Sequence, residues 1–156
     1  MPLKDVTNLL LRNKKTIAVA ESCSGGLISH SLTNISGSSK YFKLGIVLYS
    51  NQSKSRILKI KEKEIKTHGA VSQRIAYLMA KKVKQLAKTD IGVSTTGIAG
   101  PTGGSPKKPV GTVFIGIANK NSVRVKKFHF KGNRLKIKNQ TKNKALLLIK
   151  QCLKNR

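Results

Sequence analysis

Tryptophan is absent from the 156-residue chain, and three tyrosines with four phenylalanines supply all of its aromatic side chains. No obvious platform for stacking nucleic-acid bases follows from so few rings. Acidic residues are scarcer still for a chain of this charge: Asp5, Glu21, Glu62, Glu64 and Asp90 are the complete set. Hard cations want several oxygen ligands and glycoside chemistry wants two placed acids, so carboxylate metal sites and paired-carboxylate catalysis are disfavoured, and no metal or cofactor is called for. The only cysteines, Cys23 and Cys152, lie far apart and lack metal-ligand spacing, which argues for two reduced thiols rather than a disulfide framework or a zinc site. Apolar runs such as Ala145 to Ile149 fall far short of the roughly 20 residues that cross a bilayer. The first residues have neither the long apolar segment nor the small-residue cleavage site of a signal peptide. A cytoplasmic protein without a membrane partner is expected.

What the chain has in excess is positive charge, a formal +27. One reading is an electrostatic footprint for nucleic acid or another polyanion. The competing reading is compositional. The cations are mostly lysines scattered from Lys4 to Lys154, isoleucine and asparagine are also abundant, and an AT-rich coding sequence favours all three. On that reading any nucleic-acid contact is nonspecific.

The length suits one domain, residues 1–156. Val6, Leu9 and Leu10 give residues 3–13 helical spacing, and Thr16 to Ala20 is a short strand that runs into Glu21-Ser22-Cys23-Ser24-Gly25-Gly26. Leu27, Ile28 and Leu32 begin a second helix, which Ile35 to Ser39 should end. Gly45 to Ser50 reads as a buried strand, with Asn51 as cap of a helix carrying Lys54 at its third position. A charged surface helix, Lys59 to Thr67, leads to a helix capped by Ser72, with Ile75, Leu78, Met79, Val83, Leu86 and Ala87 along one face. Asp90 to Thr95 returns to strand character before the glycine- and proline-rich stretch Thr96 to Pro106. Val110 to Ala118 and Ser122 to Phe130 then form a hairpin through Asn119-Lys120-Asn121, and a helix over about 140–153 buries Leu146, Ile149, Cys152 and Leu153. This order predicts a three-layer α/β/α sandwich with a mostly parallel central sheet and an antiparallel pair near the C-terminus.

Ligands of such sheets bind at the carboxyl ends of the strands, where three polar turns fall: Glu21 to Gly26, Tyr49 to Lys54 and Thr96 to Gly104. Each has a plain structural reading. A serine before Gly-Gly is commonly a helix cap, a lysine on a short helix is commonly solvated, and a glycine cluster is commonly a tight loop. Each also has a chemical one. A lysine made neutral by burial or by a helix N-terminus can deprotonate a serine hydroxyl, and exposed amides suit a phosphate or an oxyanion. His30, His68 and His129 form no recognisable set, though His68 beside Gly69 could border a site. The Gly-x-Ser-x-Gly elbow, the P-loop and a Gly-x-Gly-x-x-Gly at a first strand are all missing.

Taken in order, Ala20-Glu21-Ser22-Cys23-Ser24-Gly25-Gly26, Gly37-Ser38-Ser39, Tyr49-Ser50-Asn51-Gln52-Ser53-Lys54, His68-Gly69-Ala70-Val71-Ser72, Thr96-Gly97-Ile98-Ala99-Gly100-Pro101 and Lys108-Pro109-Val110-Gly111-Thr112-Val113 resemble the CinA C-terminal domain family across nearly the whole chain. The resemblance implies a stand-alone nicotinamide-nucleotide amidohydrolase that converts nicotinamide mononucleotide to nicotinic acid mononucleotide and ammonia in pyridine nucleotide recycling. It makes Ser22 the nucleophile, Lys54 its general base and Tyr49 a neighbour that orients or contacts substrate. Ser24, Gly25, Gly26, Thr96, Gly97 and Gly100 become substrate or oxyanion contacts, and Arg134 a ligand for the nucleotide phosphate. A small pyridine nucleotide and further copies of the chain are the expected partners. The family's historical link to competence and DNA damage supplies the alternative, a nucleic-acid-associated protein without amidase activity. Two positions depart from the family pattern: Ser24 stands where threonine is usual, and Asn133 replaces an acidic residue beside Arg134.

Overall fold

The structure, a computed structural model, describes residues 2–155. Six helices, α1 (Pro2–Arg12), α2 (Leu27–Thr33), α3 (Asn51–Leu58), α4 (Glu62–His68), α5 (Gln73–Ala87) and α6 (Arg134–Lys154), surround five strands, β1 (Ile17–Glu21), β2 (Phe42–Val47), β3 (Ile91–Gly97), β4 (Thr112–Ala118) and β5 (Val123–His129). The strands lie side by side in the order β2-β1-β3-β4-β5. Strand β1 pairs parallel with β2 and β3, whereas β3–β4 and β4–β5 are antiparallel, so every strand but β4 points the same way. This is the expected α/β sandwich with a mixed sheet.

Alternation along the strands divides the core between two faces. Ile17, Val19, Val93, Ile115 and Ile117 point into a core shared with Val6 and Leu10 of α1, Ile28 and Leu32 of α2, and Ile137, Leu146 and Ile149 of α6. Ala18 and Ala20 point the opposite way, into a core with Leu58, Ile65, Ile75, Met79 and Val83 of α3, α4 and α5. Small residues on that second face let α5 lie close to the sheet. The Ser94 hydroxyl donates to the Ala76 carbonyl, and a Cβ added at Gly92 or Gly116 would collide with the backbone carbonyl of Ala80 or Ala76.

Several boundaries differ from the expected ones. Strand β2 begins at Phe42 and ends at Val47, not over Gly45 to Ser50, and as the edge of the sheet it alternates between half-buried and exposed residues. The apolar run Ile46 to Leu48 masked that alternation. Leu48 has left the sheet, although its amide still donates to the Glu21 carbonyl at 2.7 Å. Ser50, not Asn51, caps α3, through a reciprocal pair with Ser53, which puts Lys54 at the fourth helical position. Helix α4 starts at Glu62 rather than Lys59, and Leu86 of α5 is 53% exposed. Helix α6 starts at Arg134, about six residues before the expected start, because the Asn133 side chain accepts the Lys136 amide as an N-cap. Lysines in its first two turns hide the buried stripe of Ile137, Thr141 and Ala145. No helix among the described residues is long and apolar enough to cross a membrane.

The close approach of α5 makes a stability prediction. Gly92→Ala should lose about 2 kcal/mol through overpacking against backbone, lowering the thermal midpoint by about 4–8 °C; an unchanged midpoint in calorimetry or urea unfolding would contradict the close-contact geometry.

Candidate active site

Parallel strands end where their helices begin, so the C-terminal edge of β1 and β3 collects loops and helix starts in one place. A cleft of about 260 Å³ opens there. Its walls come from the β1–α2 turn (Ser22, Cys23), the β2–α3 connection and the start of α3 (Tyr49, Asn51, Lys54), the end of β3 with the glycine loop (Thr96 to Gly100, Thr102, Gly103), and Arg134 at the start of α6.

Lys54 is 2% exposed, and no ion pair among the described residues involves it. Its Nζ donates to the Leu48 carbonyl at 2.9 Å and to Ser22 Oγ at 3.3 Å. Burial holds the amine below the ordinary lysine value of 10.5. A desolvated amine without a carboxylate neighbour favours its neutral form, which has a lone pair to accept a proton. Ser22 is 9% exposed at the cleft floor, with its amide donating to the Thr95 carbonyl at 3.1 Å. The adjacent Cys23 is the stronger nucleophile as a thiolate, but burial pushes its thiol up to about 12, so it stays protonated at neutral pH. The pairing of hydroxyl and depressed amine therefore falls on Ser22.

At the mouth, the Arg134 guanidinium donates to the Gly100 carbonyl and to the Tyr49 hydroxyl, both at 2.7 Å. Tyr49 is 62% exposed, so this bridge joins three chain segments across solvent-accessible space. The Asn133 substitution does not leave Arg134 unsupported: Asn133 caps α6 and fixes where the helix begins, while Gly100 and Tyr49 hold the guanidinium.

The structure brings Ser22, Lys54, Tyr49, Thr96, Gly97, Gly100 and Arg134 to one cleft. Ser24, Gly25 and Gly26 do not line it. Ser24 is fully buried and bonded at 2.7 Å to both Glu21 Oε1 and Thr95 Oγ1, and Gly25 and Gly26 shape the turn with positive φ of 61° and 98°. Sequence spacing could not tell a serine facing the cleft from one facing the helix behind it. Thr96 lines the cleft, yet its hydroxyl proton goes to the Ala70 carbonyl at 2.7 Å. His68 faces Glu64 instead of bordering the cleft. Two polar lining residues were missed, Asn51 and Thr102; once Ser50 is recognised as the cap of α3, Asn51 has no capping role to hide behind.

A slightly larger cavity of about 300 Å³ opens at the opposite edge of the sheet. Two of its polar side chains are tied up in hydrogen bonds and an ion pair: Asp90 with Thr16 and Lys15, and Asn119 with Ser122 and Cys152. It pairs no nucleophile with a base. No group of three His, Cys, Asp or Glu side chains among the described residues is disposed to hold a metal ion.

The fold and this cleft define an α/β protein of the CinA type. The family model described as CinA C-terminal domain matches residues 2–153, and the chain belongs to that family. A CinA-like protein of Syntrophus aciditrophicus is 48% identical over 149 residues, which is 95% of this chain but 36% of the relative. The chain thus spans about a third of the length of such relatives. A competence/damage inducible protein of Agrobacterium tumefaciens superposes with a TM-score of 0.92 at 32% identity, covering 99% of this chain and 97% of that one. The competence damage-inducible protein A of Klebsiella pneumoniae gives 0.95 at 25% identity, with 99% and 96% covered.

The depressed Lys54 carries a testable linkage. Below its folded pKa the folded protein holds a desolvated cation that the unfolded chain hydrates freely, so stability is withheld at lower pH and recovered as pH rises toward 10.5. A Lys54→Met protein should be more stable than wild type near neutral pH, with the gap in urea midpoints closing as pH approaches 10; a gap independent of pH would contradict the depressed amine.

Proposed function

We propose that the chain is an amidohydrolase that converts nicotinamide mononucleotide to nicotinic acid mononucleotide and ammonia through a seryl ester. The observation that carries the reading is the buried Lys54 amine 3.3 Å from Ser22 Oγ at the floor of a cleft with Arg134 at its mouth. Lys54 takes the Ser22 proton as Oγ attacks the carboxamide carbon, and the same proton passes to the departing nitrogen as ammonia. Water then attacks the ester, gives a proton to Lys54, and the carboxylic acid leaves as Ser22 regains its hydrogen. Amides for the oxyanion come from Cys23, Ala99 and Gly100 along the cleft wall, since those of Gly25, Leu27 and Ile98 are already donated to Ser22, Ser24 and Thr112 carbonyls. Arg134 and Tyr49 exchange their mutual bond for the 5′-phosphate, which suits a planar, forked cation. The reaction uses no metal.

Purified protein should release ammonia from nicotinamide mononucleotide. Ser22→Ala and Lys54→Met should each lower kcat by about 10³-fold or more, as loss of a member of a nucleophile–base pair does. Arg134→Met should raise KM for the mononucleotide at least about tenfold while leaving a phosphate-free amide unaffected. Because only neutral Lys54 accepts the proton, kcat/KM should rise with pH and level off below 10.5. Unchanged turnover in folded Ser22→Ala protein would overturn the assignment. The polyanion reading rests on the +27 charge and on the family's link to competence and DNA damage, and salt-dependent DNA binding without amide turnover would favour it.

A further inference from the structure

Glu21 is fully buried, yet it enters none of the ion pairs among the described residues of a chain with 32 basic residues. Four donors satisfy it instead. Oε1 accepts Ser24 Oγ at 2.7 Å and the Ile28 amide at 3.0 Å, and Oε2 accepts the Ser29 amide at 3.0 Å and Ser29 Oγ at 2.7 Å. Half of this has a structural purpose. Helix α2 starts after Gly26, which offers no side-chain cap, so Glu21 reaches from the end of β1 to satisfy the second and third amides of the helix.

The other half leads toward Ser22. Ser24 donates its only hydroxyl proton to Glu21 Oε1. The 2.7 Å Ser24–Thr95 bond then has one possible sense, with the Thr95 hydroxyl donating to Ser24 Oγ. Thr95 Oγ1 is left as an acceptor facing the Ser22 amide at 3.5 Å, beside the Thr95 carbonyl that takes the same amide at 3.1 Å. Without an obligatory acceptor at position 21 the Ser24–Thr95 bond is free to reverse, and the Thr95 lone pair that faces the Ser22 amide is no longer fixed.

We propose that Glu21 is a positioning residue for the reaction: through Ser24 and Thr95 it sets the direction of a buried hydroxyl chain that fixes the Ser22 backbone, and so holds Oγ within reach of Lys54. The inference rests on the reading of Ser22 as nucleophile.

Ser24→Ala and Ser29→Ala separate the two halves, since each removes one 2.7 Å hydroxyl bond to Glu21 but only Ser24 leads on to Ser22. With nicotinamide mononucleotide, Ser24→Ala should lower kcat about tenfold or more while KM stays within about threefold, as small misplacement of a reacting atom does. Ser29→Ala should leave kcat within about twofold, and Ser24→Thr, which keeps the hydroxyl, should recover most of the loss. Glu21→Gln should behave as Ser24→Ala; should it fail to fold, the serine pair decides alone. Equal effects of the two alanine variants on kcat, or a loss confined to KM or to the thermal midpoint, would overturn the proposal. A substrate-independent readout is the rate at which a sulfonyl fluoride labels Ser22. Labelling that follows the same pattern in a protein inactive toward the mononucleotide would sink the amidase reading and sustain the positioning role. Equal labelling of both variants overturns the role, and a wild-type Ser22 that neither labels nor supports turnover overturns both.

Discussion

A primary amine taken out of water without a carboxylate beside it must either find hydrogen-bond acceptors or give up its proton. Lys54 does the first with the Leu48 carbonyl and Ser22 Oγ, and burial pushes it toward the second. Much of the local architecture follows from that constraint. Leu48 must leave strand β2 with its carbonyl turned inward, its amide still pinned to the Glu21 carbonyl. Ser50 and Ser53 must close α3 at its first turn so that the fourth residue points back into the sheet. The stem of Lys54 also serves as core: it is among the largest fully buried side chains of the molecule.

The turn that carries Ser22 meets this amine because two different supports converge on it. Strand β3 accepts the Ser22 amide through Thr95, and Glu21 ties the same turn to the start of α2. Cys23, one residue away, is kept as a thiol by burial, so environment and not intrinsic reactivity sets these two adjacent side chains apart. At the mouth, Arg134 links the glycine loop to Tyr49 and brings the last helix into a site otherwise built from residues 22–103. The family to which the chain belongs is thus expressed in a site made of hydrogen bonds between turns that are far apart in sequence.

Much of this was legible in the residues. The layer order follows from the alternation of short apolar runs with helical stripes, and the placement of ligands at strand carboxyl ends gathers Ser22, Lys54 and the glycine loop. Three features were not legible, each for a physical reason. Edge strand β2 is half-exposed, so a strand signal based on continuous apolarity slid toward Leu48. The start of α6 is lysine-rich because its outer face is solvated, and only the Asn133 cap marks it. Ser24 and Glu21 sit inside a motif whose residues face opposite sides of a turn, and the turn's direction depends on left-handed Gly25 and Gly26 rather than on spacing. Glu21, without a role on the page of the sequence, proves to be the hub of that turn.

In the proposed mechanism the hydroxyl activated by Lys54 is the atom that takes the acyl group. Rapid quenching of the protein during turnover of nicotinamide mononucleotide, followed by peptide mass spectrometry, tests it most directly. The expected result is a mass increase equal to the acyl nucleotide on the peptide containing Ser22, mapped to that residue as an ester and absent from Lys54→Met protein. An acyl group found on Cys23 as a thioester, or one that forms undiminished without Lys54, would contradict it.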